Sequence, residues 1–385
     1  MSGSLKANSD RLRDWAIEQA LPLWASAGFD AKTGRFREAL TLEGRPLLEA
    51  PTRLIVQSRQ IFSYALAVRR GWHRDALAIV ESAYAALVRD YYQPDGKEGW
   101  VYSVYGDGRV ADARRDLYSH AFALLAVSSY AQATGRPDAL ALADETLAFL
   151  DRKLHAPMSG GYLEGLPAAA VPRRQNPHMH LFEAFLSLWS NTHEGRFLAR
   201  AGEMFALFTS RFFRTASGTL GEYFDETLQP APGAAGDIVE PGHHSEWVWL
   251  LRWFEREAGR AVQPYVDALY AHAARYGYDS AGLMVDEVSV DGAHRTPSHR
   301  TWPMTEAIKA NVAEALAGRA PAEGKAADLA GLLFDRFLRL VPPGGWMDRL
   351  DAHGRPAAEM MPASTLYHVL CAVDELDRFA HAAGT

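Results

Sequence analysis

The sequence predicts an all-α fold, an (α/α)6 barrel of six two-helix repeats with short β-hairpins at the active-site mouth. Three observations carry this expectation. A glycine followed by aromatic or large apolar residues recurs along the chain: Gly34-Arg35-Phe36, Gly99-Trp100-Val101, Gly161-Tyr162-Leu163, Gly221-Glu222-Tyr223, Gly282-Leu283-Met284 and Gly345-Trp346-Met347, at intervals of 65, 62, 60, 61 and 63 residues. Each interval holds two stretches of helical period, such as Phe122, Leu125, Val127 and Tyr130, or Leu147, Leu150 and Leu154. Neither end of the chain shows the shift to polar composition that an open superhelix needs in its capping repeats, so the six units are expected to close into a ring.

Each unit repeats one order of elements. After the glycine comes a strand-like segment with a turn signal, as in Tyr105-Gly106-Asp107-Gly108-Arg109, Val290-Asp291-Gly292 and Asp351-Ala352-His353-Gly354. A first helix follows, expected at 52–70, 115–133, 178–192, 243–257, 302–317 and 364–381. The second helices are expected at 73–92, 135–153, 194–213, 261–277 and 324–340, with a lead-in helix near 8–26. No Pro/Ser-rich or low-complexity tract divides the chain, so residues 1–385 read as one domain. The stretch around Gly233-Ala234-Ala235-Gly236 reads as a loop just before the most chemically charged motif, either a mobile cover or a plainly solvated connection.

Composition narrows the function. A hydrophobic fraction of 48% suffices for a large core, and a formal charge of −7 offers no footprint for nucleic acid or an anionic membrane. The expected partner is a small neutral or modestly charged molecule, met by a monomer or homodimer. Cys371 is the single cysteine, which excludes an intrachain disulfide and a thiolate metal cluster. Met1-Ser2-Gly3-Ser4-Leu5-Lys6 has no apolar segment of a secretory leader, and no run reaches membrane-spanning length; a cytoplasmic location is expected.

The chemistry concentrates where the first helix of each unit begins. Counted from the recurring glycine, Arg53, His120, His180, His243, Trp302 and His368 stand at similar offsets, and ring closure would bring all six to one mouth. In Glu240-Pro241-Gly242-His243-His244-Ser245-Glu246-Trp247, His243 and Glu246 are three apart, hence neighbours on one helical face, and a carboxylate beside an imidazole suits a general base. Arg53 opens an apolar helix, where a plain ion pair is the alternative role. His120 reads as a hydrogen-bonded core histidine. In Asn176-Pro177-His178-Met179-His180, residues i and i+2 of a helix point apart, so only one histidine can face the cavity, and the offset selects His180. Trp302 either stacks on a sugar or fills the core. The histidines lack the His-x-x-x-His spacing of a helical metal pair, and neither a metal nor another cofactor is expected.

Five spaced motifs resemble the N-acylglucosamine 2-epimerase family: Arg53-Leu54 with Gln57-Ser58-Arg59-Gln60, Asp116-Leu117-Tyr118-Ser119-His120-Ala121-Phe122, Asn176-Pro177-His178-Met179-His180-Leu181-Phe182-Glu183, the Glu240–Trp247 motif, and Trp302-Pro303-Met304-Thr305-Glu306. The resemblance runs from about residue 10 to 380 and implies an (α/α)6 barrel with metal-independent chemistry at the C1–C2 end of an aldose. It implies His243 and His368 as the catalytic histidines and Glu246 as the carboxylate that orients His243. Arg53, Asn176, His180 and Trp302 are implied as sugar-binding residues, and Tyr105 and Glu306 are expected beside them. A histidine pair can take the C2 proton and deliver one elsewhere, while Arg53 and His180 stabilise the oxyanion.

The expected reaction is isomerisation of free D-mannose to D-fructose, with D-lyxose as a further substrate. The family also contains 2-epimerases of mannose, cellobiose or N-acylglucosamine and a sulfoquinovose isomerase, and Arg114, Arg115, Arg173 and Arg174 leave an anionic sugar open. Two readings of other classes are a glycoside hydrolase using Glu246 and Glu306, and a non-catalytic sugar-binding protein.

Overall fold

The computed structural model describes residues 3–168 and 172–382. Its first rod is α1 (Gly3–Trp15) and α2 (Leu21–Ser26), joined through a π-helical turn at Ala16–Ala20. There follow α3 (Leu54–Arg70), α4 (Ala76–Tyr91), α5 (Leu117–Thr134), α6 (Leu140–Phe149), α7 (Asn176–Thr192) and α8 (Gly195–Leu207). The second half comprises α9 (Pro241–Ala258), α10 (Gln263–Tyr276), α11 (Thr301–Leu316), α12 (Ala320–Leu333) and α13 (Thr365–Ala382). The odd helices α3 to α13 form the inner ring, each packed on the next and α13 back on α3. The α1–α2 rod and the even helices α4 to α12 lie outside, so the six units close as expected.

The inner helices are buried on nearly every side, which is why α5 reads as apolar around its circumference rather than as an amphipathic stripe. The outer helices bury one face; α8, for example, turns Phe197, Ala201, Met204 and Leu207 inward. Three of them run on into π-helical turns, at Leu150–Leu154, Phe208–Phe212 and Phe334–Leu338.

Short strands complete the ring. The residues leading into each inner helix pair antiparallel with the hairpin of the following unit: Thr52–Arg53 with Ser103–Val104, Arg115–Asp116 with Gly165–Leu166, Arg173–Arg174 with Tyr223–Phe224, Ile238–Val239 with Glu287–Ser289, and His299–Arg300 with Arg349–Leu350. The sixth pair joins Met360–Pro362 to Ala39–Thr41 of the first unit. Trp24 stacks on Trp346 at 5.0 Å across the same closure.

Each unit also carries a latch. Near the recurring glycine one backbone N–H is buried and must find an acceptor. It finds one on a side chain where the same unit enters its inner helix: Phe36 N–H donates to Gln57 Oε1 (2.9 Å), Trp100 to His120 Nε2 (3.1 Å), Tyr162 to His178 Nε2 (3.0 Å), Leu220 to His244 Nε2 (3.0 Å), Met284 to Met304 Sδ (3.2 Å) and Trp346 to Met361 Sδ (3.4 Å). The glycine makes room for it. Gly161 has φ +65°, and a Cβ there would stand 2.6 Å from His178 Nε2. In the fourth and sixth units the left-handed glycines are Gly218 and Gly344, not Gly221 and Gly345. The loop at Gly233–Asp237 is a 3-10 turn, its Gly236 carbonyl accepting from Arg214 at 2.5 Å.

His178→Leu should lower the unfolding free energy by about 1–3 kcal/mol, the cost of stranding a buried N–H. His178→Gln, which copies Gln57 of the first unit, should lose much less. Burial and Arg173 hold the His178 pKa down to about 3, below its ordinary 6.5. Its contribution is therefore complete above 6.5 and is lost as pH falls toward 3. Urea midpoints measured between about pH 7 and about pH 5 should consequently fall less steeply in His178→Gln than in the parent protein.

Candidate active site

Three histidines that do not serve as latches lie inside the ring. His243, His180 and His368 stand on α9, α7 and α13, and each is paired through Nδ1 with a buried glutamate. His243 Nδ1 lies 2.9 Å from Glu222 Oε2, His180 Nδ1 2.9 Å from Glu183 Oε2, and His368 Nδ1 2.8 Å from Glu306 Oε1. A carboxylate at Nδ1 fixes the imidazole's tautomer and leaves Nε2 for chemistry. His243 Nε2 meets the Asn176 amide at 2.9 Å. Trp302 lies between two of the imidazoles, its ring 5.0 Å from His243 and 5.8 Å from His368.

Their surroundings push the histidines apart. Burial disfavours a charge on His243, but Glu222 and Glu240 outweigh it and raise its pKa to about 9. His180 falls to about 4, because burial, helped by Arg59 and His243, outweighs Glu183. His368 is driven well below 6.5 by burial, then by Arg59 and Lys309. At neutral pH the cavity thus holds one imidazolium and two neutral imidazoles. Two groups of one type tuned in opposite directions are the electrostatic mark of an acid/base site.

Below them lies a fully buried charge cluster. Lys309 Nζ stands 2.6 Å from Glu306 Oε2. Glu183 accepts a short hydrogen bond from Tyr367 and is held below the usual carboxylate range by His180 and Lys309 against the effect of burial. Arg59 donates to the Tyr118 hydroxyl at 2.8 Å and lies over the Phe122 ring at 4.2 Å. Glu246 is the odd member: burial, then Glu306, raises its pKa well above 4.5, and its Oε1 has no hydrogen-bond partner among the described residues. It is 3.9 Å from His180 Nε2.

The mouth beside this cluster is a cavity of about 430 Å³ lined by Arg53, Tyr102, Arg114, Asp116, Tyr118 and Arg174, among others. Tyr118 joins it to the histidines, its ring edge-on to His180 at 5.2 Å. Each arginine has a carboxylate partner: Arg53 with Glu38 at 2.5 Å, Arg174 with Glu164 at 2.9 Å and Arg114 with Asp112 at 3.3 Å.

The structure thus brings His243, His368, His180, Asn176 and Trp302 together and sets Arg53 at the rim. Three expectations are corrected. Glu246 does not hydrogen-bond His243; the i,i+3 spacing puts it one turn deeper, between His180 and His368, and Glu222 takes the orienting place from the adjoining hairpin. Glu306 makes no sugar-facing contact but is wholly buried against His368 and Lys309. Tyr105 is 44% exposed at a hairpin tip, and Tyr102 faces the mouth in its stead, stacked under Arg114 at 3.7 Å.

Glu222, Glu183, Arg59 and Lys309 escaped the sequence reading. Only Glu222 left a usable signal: a carboxylate beside the recurring glycine, where Trp100, Tyr162, Leu283 and Trp346 stand in other units. The closest imidazole and carboxylate atoms form the sets His180–Glu183–Glu246, Glu222–Glu240–His243 and Glu246–Glu306–His368, each within 4.8 Å. In every set the imidazole Nδ1 is already committed to a carboxylate of the site.

Comparison with known proteins agrees with this architecture. The model of the family described as N-acylglucosamine 2-epimerase (GlcNAc 2-epimerase) matches residues 34–372. The chain is 35% identical to a mannose-6-phosphate isomerase of Rhizobium meliloti (strain 1021) over 388 residues, 98% of each chain. It is 28% identical to a D-mannose isomerase of Thermobifida fusca over 326 residues, 80% of this chain and 76% of that one. The structure of a cellobiose 2-epimerase from Spirochaeta thermophila DSM 6192 superposes with a TM-score of 0.87 at 24% identity, covering 99% of this chain and 98% of the other, a likeness of fold. The chain is a sugar isomerase or epimerase and belongs to the N-acylglucosamine 2-epimerase family.

Proposed function

We propose that the protein interconverts D-mannose and D-fructose through a cis-enediolate, with His368 as base and His243 as acid. The observation that carries this reading is the pair of imidazoles facing one Trp302 ring, both oriented through Nδ1, with surroundings that favour the charged form of His243 and the neutral form of His368. In the open-chain aldose, neutral His368 Nε2 removes the C2 proton, charge builds on O1 in the cis-enediolate, and imidazolium His243 then gives its proton to O1, leaving the enediol. His243 then takes the O2 proton as the carbonyl forms at C2, and His368 returns its proton to C1, giving the ketose. The Asn176 amide can donate to an oxygen where charge builds, and neutral His180, its hydrogen held on Nδ1 by Glu183, can accept a sugar hydroxyl at Nε2. Return of a proton to C2 from the opposite face would instead give the C2 epimer, the alternative within the family.

One observation favours a second substrate. Arg53, Arg114 and Arg174 line the mouth, and a relative covering the whole chain is named for mannose 6-phosphate. Every one of these arginines is already balanced by a carboxylate, which favours the neutral sugar. A glycoside hydrolase reading is weaker, because Glu306 is occupied by His368 and Lys309.

In D2O, protein treated with a chelator should convert mannose to fructose with deuterium entering C1, followed by NMR. No conversion or exchange with mannose, lyxose, glucose or N-acetylmannosamine would sink the proposal, and glucose as the main product would turn it into an epimerase. His243→Gln and His368→Gln should each cut kcat by about 10²–10⁴-fold with the fold intact by circular dichroism.

The pH profile tests the division of labour. Since the His368 pKa lies below 6.5, kcat/KM should be on its plateau at neutrality and fall on acidification; it should also fall above about 9 as His243 loses its proton. Glu222→Gln should move the alkaline limb down toward 6.5. An unmoved alkaline limb would separate His243 from the acid role.

Measured side by side, mannose should show a higher kcat/KM than mannose 6-phosphate. If the phosphate is preferred and Arg174→Gln removes that preference without affecting mannose, the second substrate is the right one.

A further inference from the structure

Lys309 touches neither mouth nor solvent. It and Glu306 are both 0% exposed, one turn apart on α11. The ammonium lies 2.6 Å from Glu306 Oε2, off the direction of a good hydrogen bond, and 3.7 Å over the Trp249 ring. An ammonium with no well-formed hydrogen bond is a costly thing to bury, and a buried ion pair is generally no more stabilising than apolar side chains of the same volume. Its value lies in what it does to its neighbours.

The titratable and charged groups around it come from four inner helices besides its own neighbour Glu306: Arg59 from α3, His180 and Glu183 from α7, Glu246 from α9, and Tyr367, His368 and Cys371 from α13. Three carboxyls, Glu183, Glu246 and Glu306, share this space with two permanent cations, Arg59 and Lys309. Two carboxylates can be balanced and the third holds a proton, a part that falls to Glu246: among the described residues its Oε1 comes no nearer to a cation or imidazole than His180 Nε2 at 3.9 Å, whereas Glu183 lies 2.9 Å from His180 Nδ1 and Glu306 lies 2.8 Å from His368 Nδ1 and 2.6 Å from Lys309. Without the ammonium a second proton would enter, and Glu306 is the carboxyl that has lost its counter-charge.

We propose that Lys309 is a positioning residue: it keeps Glu306 ionised, so that Glu306 accepts the Nδ1–H of His368 and leaves His368 Nε2 bare to take a proton. A protonated Glu306 would instead donate to Nδ1, forcing the ring hydrogen onto Nε2 and blocking the base. The net change is one proton gained from solvent by Glu306 and one hydrogen moved within the imidazole. The inference rests on His368 as base for its kinetic consequence, but its structural core, the tautomer, stands apart from that reading.

Long-range 1H–15N NMR of the histidine rings, with the His368 signal assigned by its loss in His368→Gln, reads the tautomer directly. In the parent protein His368 should carry its hydrogen on Nδ1; finding it on Nε2 overturns the proposal without any variant at Lys309. Lys309→Met should move it to Nε2, lower kcat by about 10²-fold with KM within about twofold, and shift the acid limb of the pH profile. Lys309→Arg should recover part of both signals. Lys309→Met placed on Glu306→Gln should add little to the loss from Glu306→Gln alone, since both act on one hydrogen bond. An unchanged tautomer and acid limb in Lys309→Met overturns the proposal. A switched tautomer with undiminished turnover upholds it and removes His368 from the role of base instead.

Discussion

The barrel is built around a backbone requirement. In every unit the hairpin beside the glycine turns a buried N–H toward the start of its own inner helix, and that N–H must be accepted. Six side chains of three kinds meet the same need: an amide at Gln57, imidazoles at His120, His178 and His244, and thioethers at Met304 and Met361. Five of these latches stand on the inner helix and fix its rotation; the sixth, Met361, stands on the strand just before α13. Because side chains one or two residues apart on a helix point in different directions, a latch at His244 turns His243 into the cavity, and a latch at His178 does so for His180. The geometry of the candidate site is set by residues that never face the cavity.

A second layer of the same economy is seen in the hairpins. Glu38, Glu164 and Asp286 stand close after the glycines of the first, third and fifth units, and each binds the arginine that opens an inner helix, Arg53, Arg174 and Arg300. In the fourth unit the corresponding carboxylate is Glu222, and its partner is His243. A structural ion pair of the repeat has there become the dyad that holds an imidazolium at neutral pH. The cluster beneath shows the complementary strategy, in which burial, then Arg59 and Lys309, keeps His368 neutral while the two cations compensate the buried glutamates.

Much of this was legible in the chain. Glycine spacing and helical period disclosed six units, and comparing units by offset pointed to Arg53, His180, His243, Trp302 and His368 at one mouth, while His120, at a similar offset, turned out to be the buried latch of its unit rather than a sixth member. It also separated His180 from His178, because helical geometry alone forbids both from facing inward. What the offsets could not disclose were partners reached across elements. Glu222 meets His243 over a hairpin whose register depends on strand pairing with the preceding unit, whereas i,i+3 proximity pointed to Glu246. Tyr102 and Tyr105 flank the two-residue strand Ser103–Val104, and a bulge within it decides which of them turns to the mouth. Lys309 sits in a helix that reads as core, and nothing in local sequence distinguishes a buried ammonium from a solvated one.

The strand pairs that run from each unit to the next, and from the sixth back to the first, leave the ring without a beginning. Residues 39–41 are completed by residues 360–362, so the first hairpin cannot reach its final pairing until all six units have left the ribosome. Synthesis order and structural order are thus uncoupled: the first unit made is among the last to be finished, and a nascent chain must hold an unpaired strand edge through most of its own translation.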